Sequence, residues 1–316
     1  MKTYKSLVLL IALSSLACQP SSEKKVLLVL LDGIPADVLE EKNTPNLDEI
    51  IENGAYARAY VGGEIGGASE SPTVSAVGYN SMLTGTWANK HNVYGNSIKN
   101  PNYGYPSIFK AAKTTDSTLT LGIYSTWEDN RTKLLGVGLA ETNHLKIDYA
   151  FDGYELDTLT FPHDSEKAYL NKIDNLVVEE AAKSLKTDAP DLSWVYLEYT
   201  DAIGHKFGDS PEMTNAVKIA DEQVGQLWKS IQYRETEFNE DWLIIITTDH
   251  GRTLENGKGH GGQSERERTT WIVTNKSNTN ESFQTGLSIV DIYPTVAKFM
   301  NFSISPSDID GKSFLE

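Results

Sequence analysis

The 316-residue sequence predicts an α/β fold, a doubly wound and mostly parallel sheet with helices on both faces. Three observations point there. Short runs that are apolar at every position alternate with helical stripes, as expected of strands buried on both faces. Acidic residues stand where several of those runs end. A 39% apolar content over this length is enough for a sizeable core. The single cysteine, Cys18, excludes an internal disulfide framework and a cysteine-rich zinc cluster. A formal net charge of −16 argues against a nucleic-acid duplex or an anionic membrane surface as the main partner, because a polyanion would be repelled.

Taken in order, residues 1–17 (MKTYKSLVLLIALSSLA) carry Lys2 and Lys5 ahead of an apolar run and then small residues, the pattern of a secretory signal. Leu16-Ala17-Cys18 resembles the bacterial lipobox, which makes Cys18 a candidate for the lipidated first residue of a cell-envelope protein, periplasmic or surface-exposed. A soluble exported protein cleaved near Cys18 is the alternative. The apolar run Leu7 to Leu13 is far short of the ~20 residues that span a bilayer. Residues 18–25 read as a polar tether and 26–316 as one catalytic α/β domain.

Within that domain the runs at 26–31 (VLLVLL), 119–124 (LTLGIY), 193–198 (SWVYLE), 242–247 (WLIIIT) and 270–273 (TWIV) predict strands. A helix is expected from Thr44 and Pro45 to a stop at Gly54. A second carries Leu170, Ile173, Val177 and Ala181. The clearest has Ser210 as N-cap and Pro211 in its first turn, with Met213, Val217, Ala220, Val224, Leu227 and Ile231 at three- and four-residue steps. The glycine-rich stretch VGGEIGG at 61–67 opens a loop with two glutamates. No Gly-Lys-Ser/Thr follows it, so it is no Walker loop, and a flexible rim is the expectation.

The chemistry is concentrated where strands end. Asp32 follows VLLVLL, Asp201 follows WVYLEYT, and Asp249 with His250 follows LIIITT. In open α/β sheets ligands bind beyond the carboxyl ends of the strands, so these groups can converge. An isolated Asp-Gly pair would be an ordinary turn. Here three histidines accompany the acids: His205 four residues after Asp201, His250 next to Asp249, and His260 in GKGHGG. Three carboxylates and three imidazoles make two three-ligand sets of the mixed oxygen and nitrogen kind that catalytic zinc accepts.

The segments VLLDG, TDAIGHKFGD, TTDHG and GHGG resemble the alkaline phosphatase superfamily, in particular its nucleotide pyrophosphatase/phosphodiesterase branch. DIYPTVAKFM and DGKSF are similar to the superfamily's closing helix and tail. The resemblance implies two Zn2+ ions, one on Asp32, Asp249 and His250 and the other on Asp201, His205 and His260. It places the nucleophile nine positions before the threonine of a Thr-Gly pair. Counting back from Thr84 and Gly85 gives Ser75, which would also touch a metal, with Thr73 as the alternative. The branch usually has threonine there; serine followed by alanine looks more like the alkaline phosphatases themselves. Asn96 matches the asparagine that hydrogen-bonds a nonbridging phosphate oxygen, a neutral clamp suited to a monoanionic diester. Trp127 and Arg131, in STWEDNRTK, fall where relatives shape leaving-group binding; Arg131 in the site would favour a dianionic monoester, but a solvated arginine held in a salt bridge is the commoner outcome and the expectation.

The resemblance thus implies zinc-dependent hydrolysis of a small phosphodiester, nucleotide or glycerophosphodiester, through a phosphoserine. A phosphomonoesterase of the same superfamily and a non-catalytic, metal-retaining surface lipoprotein are the alternatives. The sulfatase branch is disfavoured, because Val77 and Tyr79 stand where its proline and arginine would be.

Overall fold

The computed structural model describes residues 22–304 and 308–316. The signal, Cys18 and residues 19–21 of the tether lie outside the described residues. One seven-stranded sheet is built from β1 (Glu23–Leu31), β2 (Ala55–Tyr60), β3 (Leu121–Ser125), β4 (Tyr149–Phe151), β5 (Leu192–Leu197), β6 (Glu240–Thr247) and β7 (Thr269–Thr274), in the order β2-β7-β6-β1-β5-β3-β4. Every run expected as a strand is one, with ends shifted by a few residues. β1 starts at Glu23, and Lys25 is buried with its ammonium on Asp191 at 2.8 Å, so residues 23–25 belong to the sheet rather than to a tether.

A strand apolar at every position has to be covered on both sides. β1 is central and parallel to both β5 and β6. Its Val26, Leu28 and Leu30 face a core shared with the helices Ser75–Thr84, Ile108–Thr115 and Ile292–Phe299. Leu27, Val29 and Leu31 face a second core, against the helices Pro45–Asn53, Ala168–Thr187 and Pro211–Glu237. The long helix starts as its sequence requires: the Ser210 hydroxyl accepts the Met213 N–H at 3.2 Å, and Pro211 occupies the first turn.

Two strands were not foreseen, and one runs against expectation. β2 (AYARAY) alternates buried alanines with exposed Arg58 and Tyr60, an edge pattern without an apolar run, and β4 has only three residues. TWIV forms β7, antiparallel to both β6 and β2. The chain returns from β6 through residues 248–268, which carry Asp249, His250 and His260 along the carboxyl edge and hold only the short helix Glu265–Arg268, so it re-enters the sheet from the end at which it left and β7 runs antiparallel to β6. Among the described residues no helix is long and apolar enough to cross a membrane.

Candidate active site

β1, β5 and β6 are neighbours, so their carboxyl ends bring Asp32, Asp201, Asp249 and His250 to one edge. Asp32, Asp249 and His250 are buried there, at 1%, 0% and 0% exposure. Each has one side-chain atom held and one without a hydrogen-bond partner. Asp32 Oδ2 accepts the hydroxyls of Tyr196, at 2.7 Å, and Tyr79. Asp249 Oδ1 accepts the Gly33 N–H at 3.1 Å. His250 Nδ1 lies 2.9 Å from the Gly251 carbonyl, which can only accept, so Nδ1 carries the proton and Nε2 offers a lone pair. The atoms left over are Asp32 Oδ1, Asp249 Oδ2 and His250 Nε2. They face one another, His250 Nε2 lying 3.5 Å from Asp32 Oδ1 and 3.2 Å from Asp249 Oδ2. Donors on a ~2.0 Å tetrahedral shell are about 3.3 Å apart, so the donor set fits a zinc-sized ion.

The second set is more open. His205 Nε2 is 3.3 Å from Asp201 Oδ2 and 3.0 Å from His260 Nε2, which lies 3.8 Å from Asp201 Oδ1. The Thr73 carbonyl accepts from His260 Nδ1 at 2.9 Å, which again leaves Nε2 to ligate. The His250 and His260 rings stack with centroids 3.7 Å apart, and His250 lies within ligating distance of Asp201 and His260 as well as of Asp32 and Asp249. The two sets therefore meet at His250.

Crowding shows in the titration behaviour. Burial, reinforced by the Asp201 charge, pushes the Asp32 carboxyl up to about 7, and burial with Asp32 raises Asp249 strongly. Burial holds His250 and His260 below the usual imidazole range, whereas its hydrogen bond to Asp201 raises His205. Burial by itself would raise Asp201, but His205 and Arg252 outweigh it and hold that carboxyl below its usual range. Crowded carboxylates beside neutral imidazoles are stabilised by a dication.

Ser75 opens the helix Ser75–Thr84, and Gly85, at φ 64°, closes it as a left-handed C-cap, which accounts for the Thr-Gly pair. One turn beyond Ser75, a Cβ at Gly78 would come within 2.9 Å of the Asp249 side chain, so glycine lets this helix approach the first set, and Tyr79 then reaches Asp32. Two residues before Ser75, Thr73 holds the second set. Ser75 thus begins the helix between them. The Thr73 hydroxyl donates to Gly262 O and accepts from Gly261 N, both at 2.9 Å, a role as an anchor of the His260 loop rather than as a nucleophile. Asn96 Oδ1 accepts the Ala76 N–H at 3.0 Å, which brings the amide beside Ser75 with two N–H donors on its nitrogen.

The rim agrees with expectation at Arg131 and departs from it in the 61–72 loop. Arg131 makes a bidentate pair with Asp152, at 2.7 and 2.8 Å, and also reaches Glu128. Its charge is committed there and is not a clamp for a dianionic phosphate. Trp127 packs edge-on against Tyr79, centroids 6.3 Å apart. The 61–72 loop, expected to be flexible, is pinned by the Arg268 guanidinium on the Gly62 and Gly63 carbonyls and by Gln263 on Ser71 O. Residues the sequence did not single out are Tyr79, one turn after Ser75, Tyr196, inside an apolar run, and Arg252, immediately after Asp-His-Gly; only their adjacency to motif residues could have drawn notice.

Residues 26–300 match the type I phosphodiesterase / nucleotide pyrophosphatase family. Among curated relatives, ectonucleotide pyrophosphatase/phosphodiesterase family member 7 of Rattus norvegicus is 26% identical over 76% of this chain and 52% of its own length. An uncharacterised pyrophosphatase/phosphodiesterase of Schizosaccharomyces pombe is 22% identical over 72% and 45%. The chain spans about half the length of the curated relatives it matches. Among solved structures, murine ectonucleotide pyrophosphatase/phosphodiesterase 5, in complex with AMP, aligns with a TM-score of 0.62 at 15% identity, over 92% of this chain and 98% of that one. An alkaline phosphatase variant aligns with a TM-score of 0.65 at 10% identity, over 93% and 98%. These likenesses show the alkaline phosphatase-like fold.

Proposed function

Because the chain belongs to the type I phosphodiesterase / nucleotide pyrophosphatase family, we propose that it hydrolyses small phosphodiesters, nucleotide-like or glycerophosphodiester, through a covalent phosphoserine at Ser75. The observation that carries this reading is the trio of buried, unpartnered donor atoms on Asp32, Asp249 and His250, one helix turn from Ser75. Asp32, Asp249 and His250 would hold one Zn2+ and Asp201, His205 and His260 the other. The ions would supply a lowered pKa for the serine hydroxyl and for a water, and positive charge for the phosphate oxygens.

The protein's own part follows from its side chains. The Ser75 oxygen attacks phosphorus in line, and its proton is lost as the P–O bond forms. The positive end of the Ser75–Thr84 helix dipole lies at Ser75 and favours the developing charge. The Asn96 amide donates to a nonbridging oxygen, a neutral contact matched to a monoanionic ester. The alcohol departs with the electrons of the broken P–O bond and takes up a proton. Water then attacks the phosphoserine from the opposite side, and Ser75 is regenerated. The commitment of Arg131 to Asp152 supports the diester over a monoester, since the residue that could have neutralised a second charge is occupied.

The test is Ser75→Ala. Elemental analysis should find about two zinc ions in both wild type and variant, while turnover of an aryl diester falls by several orders of magnitude. Metal-replete wild type that hydrolyses monoesters in preference to diesters would overturn the substrate assignment. We also propose that Cys18 is acylated and anchors the protein to the cell envelope; a lipid-free native N-terminus by mass spectrometry would exclude this.

A further inference from the structure

Arg252 is one of the largest fully buried side chains in the protein, at 0% exposure. A guanidinium cannot give up its proton, so it is buried as a cation and needs compensation from every side. Its Nη2 donates to Asp201 Oδ1 and, at 2.8 Å, to the Asp201 carbonyl. Nε donates to the Gly33 carbonyl at 2.9 Å, and Nη1 faces the Gly257 and Lys258 carbonyls at 3.5 and 3.4 Å. One group thus joins the turn after β1, the helix Tyr199–Phe207 and the loop leading to His260.

The surrounding backbone is cut to admit it. A Cβ at Gly204 would lie 2.1 Å from the guanidinium carbon, and one at Gly33, where φ is +65°, would lie 2.7 Å from both Nη2 and Asp201 Oδ1. Two glycines therefore leave the space that the cation and its carboxylate fill.

The consequence is an imbalance between the two ligand sets. Asp32 and Asp249 offer two carboxylates, and Asp32 is steadied only by neutral phenols. Asp201 is the one carboxylate of its set, and a fixed cation already shares it. We propose that Arg252 is a positioning residue that makes the two metal positions unequal: it points Asp201 Oδ2 toward His205 while taking up its charge, so the Asp201/His205/His260 position binds its ion more weakly and fills second. This rests on the two-metal reading above. Orientation of a ligand by its outer partner is worth roughly 10–100-fold in affinity. A buried like charge a few ångströms from a dication opposes binding by more than that, so the net effect of Arg252 is to weaken.

The experiment is a titration of metal-free full-length protein with Zn2+, followed by calorimetry and by elemental analysis at each step. Wild type should bind in two resolved phases, with His205→Ala abolishing the weaker and keeping the tighter. Arg252→Gln, which keeps donors without charge, should tighten the weaker phase by about tenfold or more. Arg252→Lys should leave the phases apart, and Gly204→Ala, which intrudes on the cradle, should disturb the weaker phase alone. Two ions of equal affinity in wild type, or a weaker phase that Arg252→Gln loosens, would overturn the proposal. A total of one ion or none would instead sink the two-metal reading itself.

Discussion

The two ligand sets lie against each other yet are built by opposite means. The Asp32/Asp249/His250 set is sealed, its donors steadied by phenols, a backbone N–H and a carbonyl, and its three remaining atoms have no hydrogen-bond partner. In the Asp201/His205/His260 set the His205 side chain is 49% exposed, and the carboxylate is shared with a buried arginine. The difference teaches that burial and partner charge divide the labour. The sealed set suits a permanently held ion beside the nucleophile, and the open one suits exchange with water. Four changes can break or sharpen this contrast.

The largest effect is expected from His250, which serves both sets. His250→Ala should release both ions and lower diester turnover by at least about three orders of magnitude. Retention of one ion with measurable turnover would show that the sets are independent.

Asn96→Ala leaves both sets intact and removes the neutral clamp. The loss should be about 2–4 kcal/mol of transition-state stabilisation on diesters, comparable to deleting one oxyanion donor. It should be read in kcat/KM at unchanged metal content. A variant that loses metal would place Asn96 in the fold rather than in catalysis.

Tyr196→Phe deletes one of the two phenols on Asp32 and should weaken the tighter ion about tenfold in a competition titration, with the weaker one unmoved. An equal loss at both would erase the distinction drawn here.

The smallest effect on metal binding and turnover lies outside both sets, at His91, where the readout is stability. Its Nδ1 accepts the Val93 N–H at 3.1 Å, so Nε2 donates to Ser81 Oγ at 3.0 Å and ties the Asn96 loop to the nucleophile helix. Burial lowers this imidazole from 6.5 to about 3. Below pH 6.5 the unfolded chain takes up a proton that the folded one refuses until about 3, so stability falls as pH drops through that window. The limiting slope is about 1.4 kcal/mol per pH unit. Urea unfolding from pH 7 to 4 should show it, and His91→Gln should flatten the dependence.

Much of this was legible in the sequence, and for identifiable reasons. Unbroken apolar runs mark buried strands wherever they occur, and β1, β5 and β6 were read from them. The candidate ligand residues Asp32, Asp249, His250 and His260 stood out because each follows a strand or lies in a glycine-rich turn, whereas His205 was noticed only through its spacing from Asp201 and sits in the helix Tyr199–Phe207. β2 was not legible, since AYARAY depends on its neighbours for burial. The direction of β7 was not, because it follows from the path of residues 248–268 along one edge of the sheet rather than from TWIV. Arg252 and Tyr79 were hidden by spacing: nothing local in Asp-His-Gly-Arg says that the arginine turns inward onto Asp201, 51 residues away. At Arg131 the expected salt bridge is present, but its partner, Asp152, 21 residues away, could not be named from the sequence.

The central position of β1 has a consequence for how the protein comes into being. Leu27 pairs with Ser193 on one side and with Ile244 on the other, so the first strand synthesised waits for partners that appear very late. Parallel pairings across such separations form slowly. Until β6 emerges, an apolar strand carries an open edge, the kind of segment that recruits other chains. No nascent fragment ending before His260 contains both ligand sets, so the two sets can come together only after β6 has been made. A chaperone that shields residues 26–31 until β6 has been made would therefore raise the yield of folded protein.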